Sequence, residues 1–120
     1  MDRRKIIEKV NEIGSSRLFS NTVKNSKFGK TQFRALCEMT SQMNCVEEME
    51  LLIDYKTSKG NGWNESDGNN TFGRVIKAGL RKLIDDNLKD TSKMSDSEIT
   101  KLYFGYLHWK ATIIKASKDY

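Results

Sequence analysis

The segment Gly29-Lys30-Thr31 has the residue types that close a phosphate-binding loop: a glycine for close backbone approach, a lysine for charge and a hydroxyl for a metal. That loop also needs a glycine five positions earlier, where Lys24 stands, and a strand leading into it, so phosphate transfer is not expected. The Asn, Asp and Gly run between residues 60 and 70 has the composition of a calcium loop but not its spacing. Setting Gly68 at the sixth position puts Trp63 first, and setting Gly62 there puts Thr57 first and Gly68 last, where a bidentate glutamate is required. His108 is the single histidine, too few for a histidine metal cluster, and it sits beside Trp109 on a segment patterned for packing. Glu47-Glu48 and Asp85-Asp86 are adjacent carboxylates, which point ~100° apart on a helix and do not share a site. Cys37 and Cys45 match no zinc spacing and are expected as free, partly buried thiols. These residues call for no catalysis, cofactor or metal; the expectation is a protein that acts by binding.

The elements that would position binding residues read as helices throughout. Proline is absent, and the eight glycines fall mostly at the ends of apolar-periodic runs, where a residue tolerant of positive φ is expected. A first helix is predicted from about Asp2 to Ile13 with Ile6, Val10 and Ile13 inward and Gly14 as its stop. A short second helix from Ser15 or Ser16 buries Leu18, Phe19 and Val23 and yields to a polar loop, Asn25 to Gly29, with little reason to be buried. The third runs from about Thr31 to Met43 on a stripe of Phe33, Leu36, Cys37, Thr40 and Met43. Asn44 with Glu47 reads as a capping box for a fourth, which turns Val46, Met49, Leu52 and Ile53 inward and ends between Tyr55 and Lys59. A surface loop follows at about 60–70, then a fifth helix from Asn70 or Thr71 carrying Phe72, Val75, Ile76, Leu80, Leu83 and Ile84 on one face. Ser95 with Glu98 opens a last, aromatic helix to about Ser117, containing Ile99, Leu102, Tyr103, Tyr106, Trp109, Ile113 and Ile114. The expected architecture is all-α, a compact bundle of five to six helices in a single domain over residues 1–120. Apolar runs far shorter than the ~20 residues needed to span a bilayer, and the absence of a signal-like stretch, lead to the expectation of a cytoplasmic protein with no membrane partner.

Charge is segregated along the chain. Residues 1–34 carry nine Lys/Arg against three Asp/Glu, residues 35–70 two against seven, and residues 71–120 ten against six, for a net +5. From Arg17 to Arg34 lie Arg17, Lys24, Lys27, Lys30 and Arg34 with no acid between them. The fifth helix adds a row at i, i+3 and i+7: Arg74, Lys77 and Arg81. These eight residues are the candidate contacts to nucleic-acid phosphates, RNA or single-stranded DNA, held without base reading. Trp63 and Asn61 could add stacking and hydrogen bonds to unpaired bases, against the simpler expectation that Trp63 folds back over the bundle end.

Three segments together resemble a family, the small subunit of CRISPR effector complexes, in particular the Csm type. Thr31-Gln32-Phe33-Arg34 resembles its Thr-X-X-(Phe/Leu)-Arg helix opening, and Leu51-Leu52-Ile53-Asp54-Tyr55-Lys56 is similar to its Tyr-ending run. Leu102-Tyr103-Phe104-Gly105-Tyr106-Leu107-His108-Trp109-Lys110 looks like its closing aromatic helix. The likeness covers roughly residues 28 to 117 and is one of motif order. It departs where the family's arginine after the tyrosine is met only by Lys59, and where Asn61 to Asn70 forms an insertion. The resemblance implies an all-α, non-catalytic subunit that assembles head to tail with copies of itself and other effector subunits, and holds guide or target backbone while base pairing supplies specificity.

Two rivals follow from the same residues. A protein-interaction adaptor would dock a basic partner through the acidic fourth helix, Glu47, Glu48, Glu50 and Asp54. A helix-turn-helix regulator built on the third and fourth helices is the weaker, since an acidic recognition helix repels DNA phosphates.

Overall fold

The computed structural model describes residues 1–29 and 31–117. Its elements, in order, are α1 (Arg3–Gly14), α2 (Arg17–Asn25), α3 (Gln32–Met39) running into a 3₁₀ turn (Thr40–Gln42), α4 (Val46–Lys59), α5 (Phe72–Leu88) and α6 (Asp96–Ala116). No strand forms among the described residues; one antiparallel bridge, Ser66 with Thr71, ties off the loop before α5. The fold is the all-α bundle that the apolar periodicity predicts. No helix of the described residues is long and apolar enough to cross a membrane.

α6 is the axis. Its buried side, Ile99, Thr100, Tyr103, Phe104, Leu107, Ala111 and Ile114, meets α1, α2, α3 and α5, while α4 lies mainly on α5. Side-chain caps start four helices: Asp2 accepts from the Arg4 amide, Ser16 from Phe19, Thr71 from Arg74 and Ser95 from Glu98. Each satisfies one amide that the first turn leaves unpaired.

Several expectations need correction. Gly14 does not stop α1, which continues through it to a Ser15 cap; a Cβ there would meet Lys110 Cγ at 2.6 Å, so Gly14 serves the stem of Lys110 crossing from α6. Gly79 likewise sits mid-helix in α5, where a Cβ would strike the Tyr103 hydroxyl and lie 2.7 Å from Ile13 Cδ1. The third helix is shorter than predicted, tightening to 3₁₀ geometry at Thr40, whose hydroxyl donates to the Cys37 carbonyl (2.8 Å). At α4 the cap is shifted by one residue. Cys45 is the N-cap without a side-chain bond, and Glu48, in place of Glu47, reaches back to accept the Asn44 amide at 2.7 Å. Both thiols are free, but only Cys37 is half-buried; Cys45 is exposed.

The connections hold the largest departures. Phe28, in the segment predicted to be an exposed polar loop, is buried, and so is Trp63 in the long loop. Phe19, Phe28, Phe33, Trp63 and Phe72 pack together, mostly tilted or edge to face, at ring-centroid distances between 4.9 and 6.0 Å, extended to Phe104 through Phe33 at 6.3 Å. The loop approaches Phe28 through Gly62, whose φ of 97° and 2.5 Å separation of a Cβ position from Phe28 Cβ leave room for glycine alone. Trp63 Nε1 donates to Gln32 Oε1 (3.4 Å), and its carbonyl accepts from the Gly73 amide (2.9 Å). The expectation that this tryptophan folds back over the bundle end holds, and base stacking on it is ruled out by its burial.

Candidate nucleic-acid interface

α2 is amphipathic because Leu18, Phe19, Thr22 and Val23 share the side facing the bundle. Arg17 and Lys24, seven residues apart, fall within about 20° of each other around its axis, on one outer stripe. Lys27 follows just beyond the helix and is exposed, and Arg34 is exposed on the first turns of α3. Lys30 lies outside the described residues. Neither Asp nor Glu occurs from Ile13 to Cys37, a stretch that carries five Lys and Arg.

The stripe is not uniform. Arg17 borders a hollow of about 340 Å³ whose far wall is Glu65 and Asp67. The Asp67 carboxyl accepts the Asn70 and Asn69 amides (2.8 and 2.9 Å), which hold its pKa below the ordinary range and keep it anionic. Arg34 makes an exposed i, i+4 pair with Glu38 at 3.4 Å, a contact of small energetic weight. The exposed Lys27 and Arg34 are therefore the cations of this stretch most open to a polyanion.

The α5 row is deployed differently. Lys77 Nζ donates to Asp54 at 2.8 Å, and the Arg81 guanidinium reaches Glu50 at 2.6 Å, Glu47 at 3.1 Å and Asp85 at 3.8 Å. The hydrogen bond to Glu50 is the main reason Arg81 holds its proton even more firmly than usual. Glu47 is held below the ordinary carboxylate range by its own backbone amide and by Arg81. Two of the three cations thus join α5 to α4, together with three of the four carboxylates read as a docking face. Arg74 stands apart at the start of α5, exposed, and makes no ion pair among the described residues.

Apolar exposure is what the sequence did not reveal. Leu51 and Tyr55 on α4 are 71% and 57% exposed, and Trp109 and Ile113 on α6 are 64% and 62% exposed. The α6 pair, expected from sequence to pack, does not. It lies on a second stripe with Leu102 and Tyr106, at steps of four, three and four residues, turned away from the side that buries Tyr103, Leu107 and Ile114. That double periodicity is present in the sequence, and it is the signal that could have exposed the surface.

Among the described residues, no three His, Cys, Asp or Glu side chains gather as a metal ion would require. Set against known proteins, the chain matches no family model, no curated protein and no solved structure.

Proposed function

We propose that this chain is a non-catalytic small subunit of a CRISPR-type ribonucleoprotein effector, holding nucleic-acid backbone without reading sequence. The observation that carries the reading is the acid-free stretch from Ile13 to Cys37, with Lys24, Lys27 and Arg34 on the outer side of α2, the following turn and α3. Phosphate binding by Lys and Arg releases counterions, so such a face gives affinity that depends on salt and not on base order. The resemblance in motif order to the effector small subunits supports the choice of assembly, and the head-to-tail arrangement belongs to the same reading.

The test is affinity for unrelated single-stranded RNAs across a salt series. Replacing Lys27, Lys30 and Arg34 together by alanine is expected to weaken all sequences alike and to flatten the salt slope by about 2, at ~0.7 for each phosphate no longer neutralised. A loss confined to one sequence overturns the backbone reading. Purification from the native host, followed by sequencing of the bound nucleic acid, tests the assembly: guide RNAs are expected, and their absence with partner proteins present overturns it.

A further inference from the structure

We propose that the groove between the α3 end and α4 is a docking site for a basic amphipathic helix of a partner protein. A hollow of about 220 Å³ adjoins the exposed outer face of α4, the two sharing Glu48 and Leu52. Met39, Met43 and Met49 line the hollow, and Leu51 and Tyr55 stand on that face. Leu51, Leu52 and Tyr55 stand at i, i+1 and i+4 on α4, a ridge of the kind that interdigitates with a second helix. Methionine side chains, unbranched and polarizable, adapt to the shape of an inserted apolar face.

Charge selects the occupant. From Ala35 to Tyr55 the chain carries Glu38, Glu47, Glu48, Glu50 and Asp54 with no Lys or Arg. Glu48 lies within the groove; Glu47 and Asp54 turn toward α5 and are paired there, but the single Arg81 faces Glu47, Glu50 and Asp85, so the seam beside the groove keeps a net negative charge. Lys59, 5.7 Å above the Tyr55 ring, closes one end. Such a rim repels a nucleic acid and attracts a cationic helix laid with its apolar side down. The proposal is independent of the nucleic-acid reading, since it shares no residue with the stripe of Lys24, Lys27 and Arg34.

The probes are two fluorescein-labelled peptides with leucine at helical spacing, one with lysine on its polar side and one with glutamate. Binding to the full chain is read by anisotropy. The lysine peptide is expected to bind, the glutamate peptide not, and Leu51→Ser with Tyr55→Ser to weaken the former about tenfold or more. Trp109→Ser with Ile113→Ser, which removes the other exposed apolar stripe, is expected to leave it unchanged. Far-UV circular dichroism checks that both variants remain folded. Equal binding of the two peptides, no binding of either, insensitivity to the α4 changes or equal sensitivity to the α6 changes overturns the proposal. So does concentration-dependent dimerisation that Leu51→Ser abolishes, which would make a second copy the occupant.

Discussion

Tyr103 brings a hydroxyl into the core, where it donates to the Ile76 carbonyl at 2.7 Å, and burial pushes its ionisation far above the usual phenolic range. Tyr103→Phe keeps the ring and loses the bond, so a cost of about 1 kcal/mol is expected in urea denaturation. Thr22 is the opposite case. Its Oγ1 is buried with no partner among the described residues, so Thr22→Val is expected to stabilise the fold, by roughly 1 kcal/mol, in the same measurement. The two tryptophans differ in exposure, 1% for Trp63 and 64% for Trp109. Iodide should quench most of the emission of Trp109 and little of that of Trp63, and Trp109→Phe should leave emission nearly insensitive to iodide. At this scale the sequence was legible wherever a helix repeat spoke for a residue, as for Ile6, Val10 and Leu80. Phe28 and Trp63 stand in connections, where no period distinguishes an aromatic that caps the bundle from one that faces water.

Between elements, the α4–α5 seam carries most of the charge pairing. Arg81 is about a third exposed and two of its three carboxylates more than half exposed, with only Glu50 mostly covered, so Arg81→Met is expected to cost about 1 kcal/mol. It should also leave the affinity for RNA essentially unchanged, in contrast to the Lys27, Lys30 and Arg34 substitutions. Glu47, Asp67 and Asp90 all have carboxyls held below their ordinary values; for Asp90 the Ser92 amide acts first and the N-terminal ammonium, 3.2 Å away, second. A carboxylate whose pKa is lower in the folded than in the unfolded chain contributes stability above its ordinary pKa and loses it as pH falls below. Thermal stability is therefore expected to hold from neutrality down to about pH 5 and to fall steadily below pH 4, nearest the ordinary values of 4.5 and 3.8. Helix order and most boundaries were readable because caps and periodicity are local signals, Thr71 and Ser95 among them. The α4 start was misplaced by one residue because Asn44 and Glu48 serve the same purpose through the backbone amide of Asn44 instead of its side chain.

Across the whole molecule, charge and apolar surface are sorted. The stretch that forms α2 and most of α3 is basic in sequence, Glu48 lies in the methionine groove by α4, and a separate apolar stripe runs along α6. The acid-free basic stretch was visible in sequence because it is contiguous. The engagement of Lys77 and Arg81 with α4 was not, since their partners there lie 23 and 31 or more residues away and only tertiary packing joins them. The aromatic cluster has a further consequence, for the order of folding events. Phe19, Phe28, Phe33, Trp63, Phe72 and Phe104 come from separate segments spread along the chain, so the cluster cannot assemble until nearly its full length has been brought together. Helices form from neighbours in submicroseconds to microseconds, but pairings of such long sequence separation carry a loop-closure cost first. Backbone helicity should thus be recovered ahead of near-ultraviolet aromatic signal on refolding, and truncation before Phe104 should leave helices that never acquire a fixed interior.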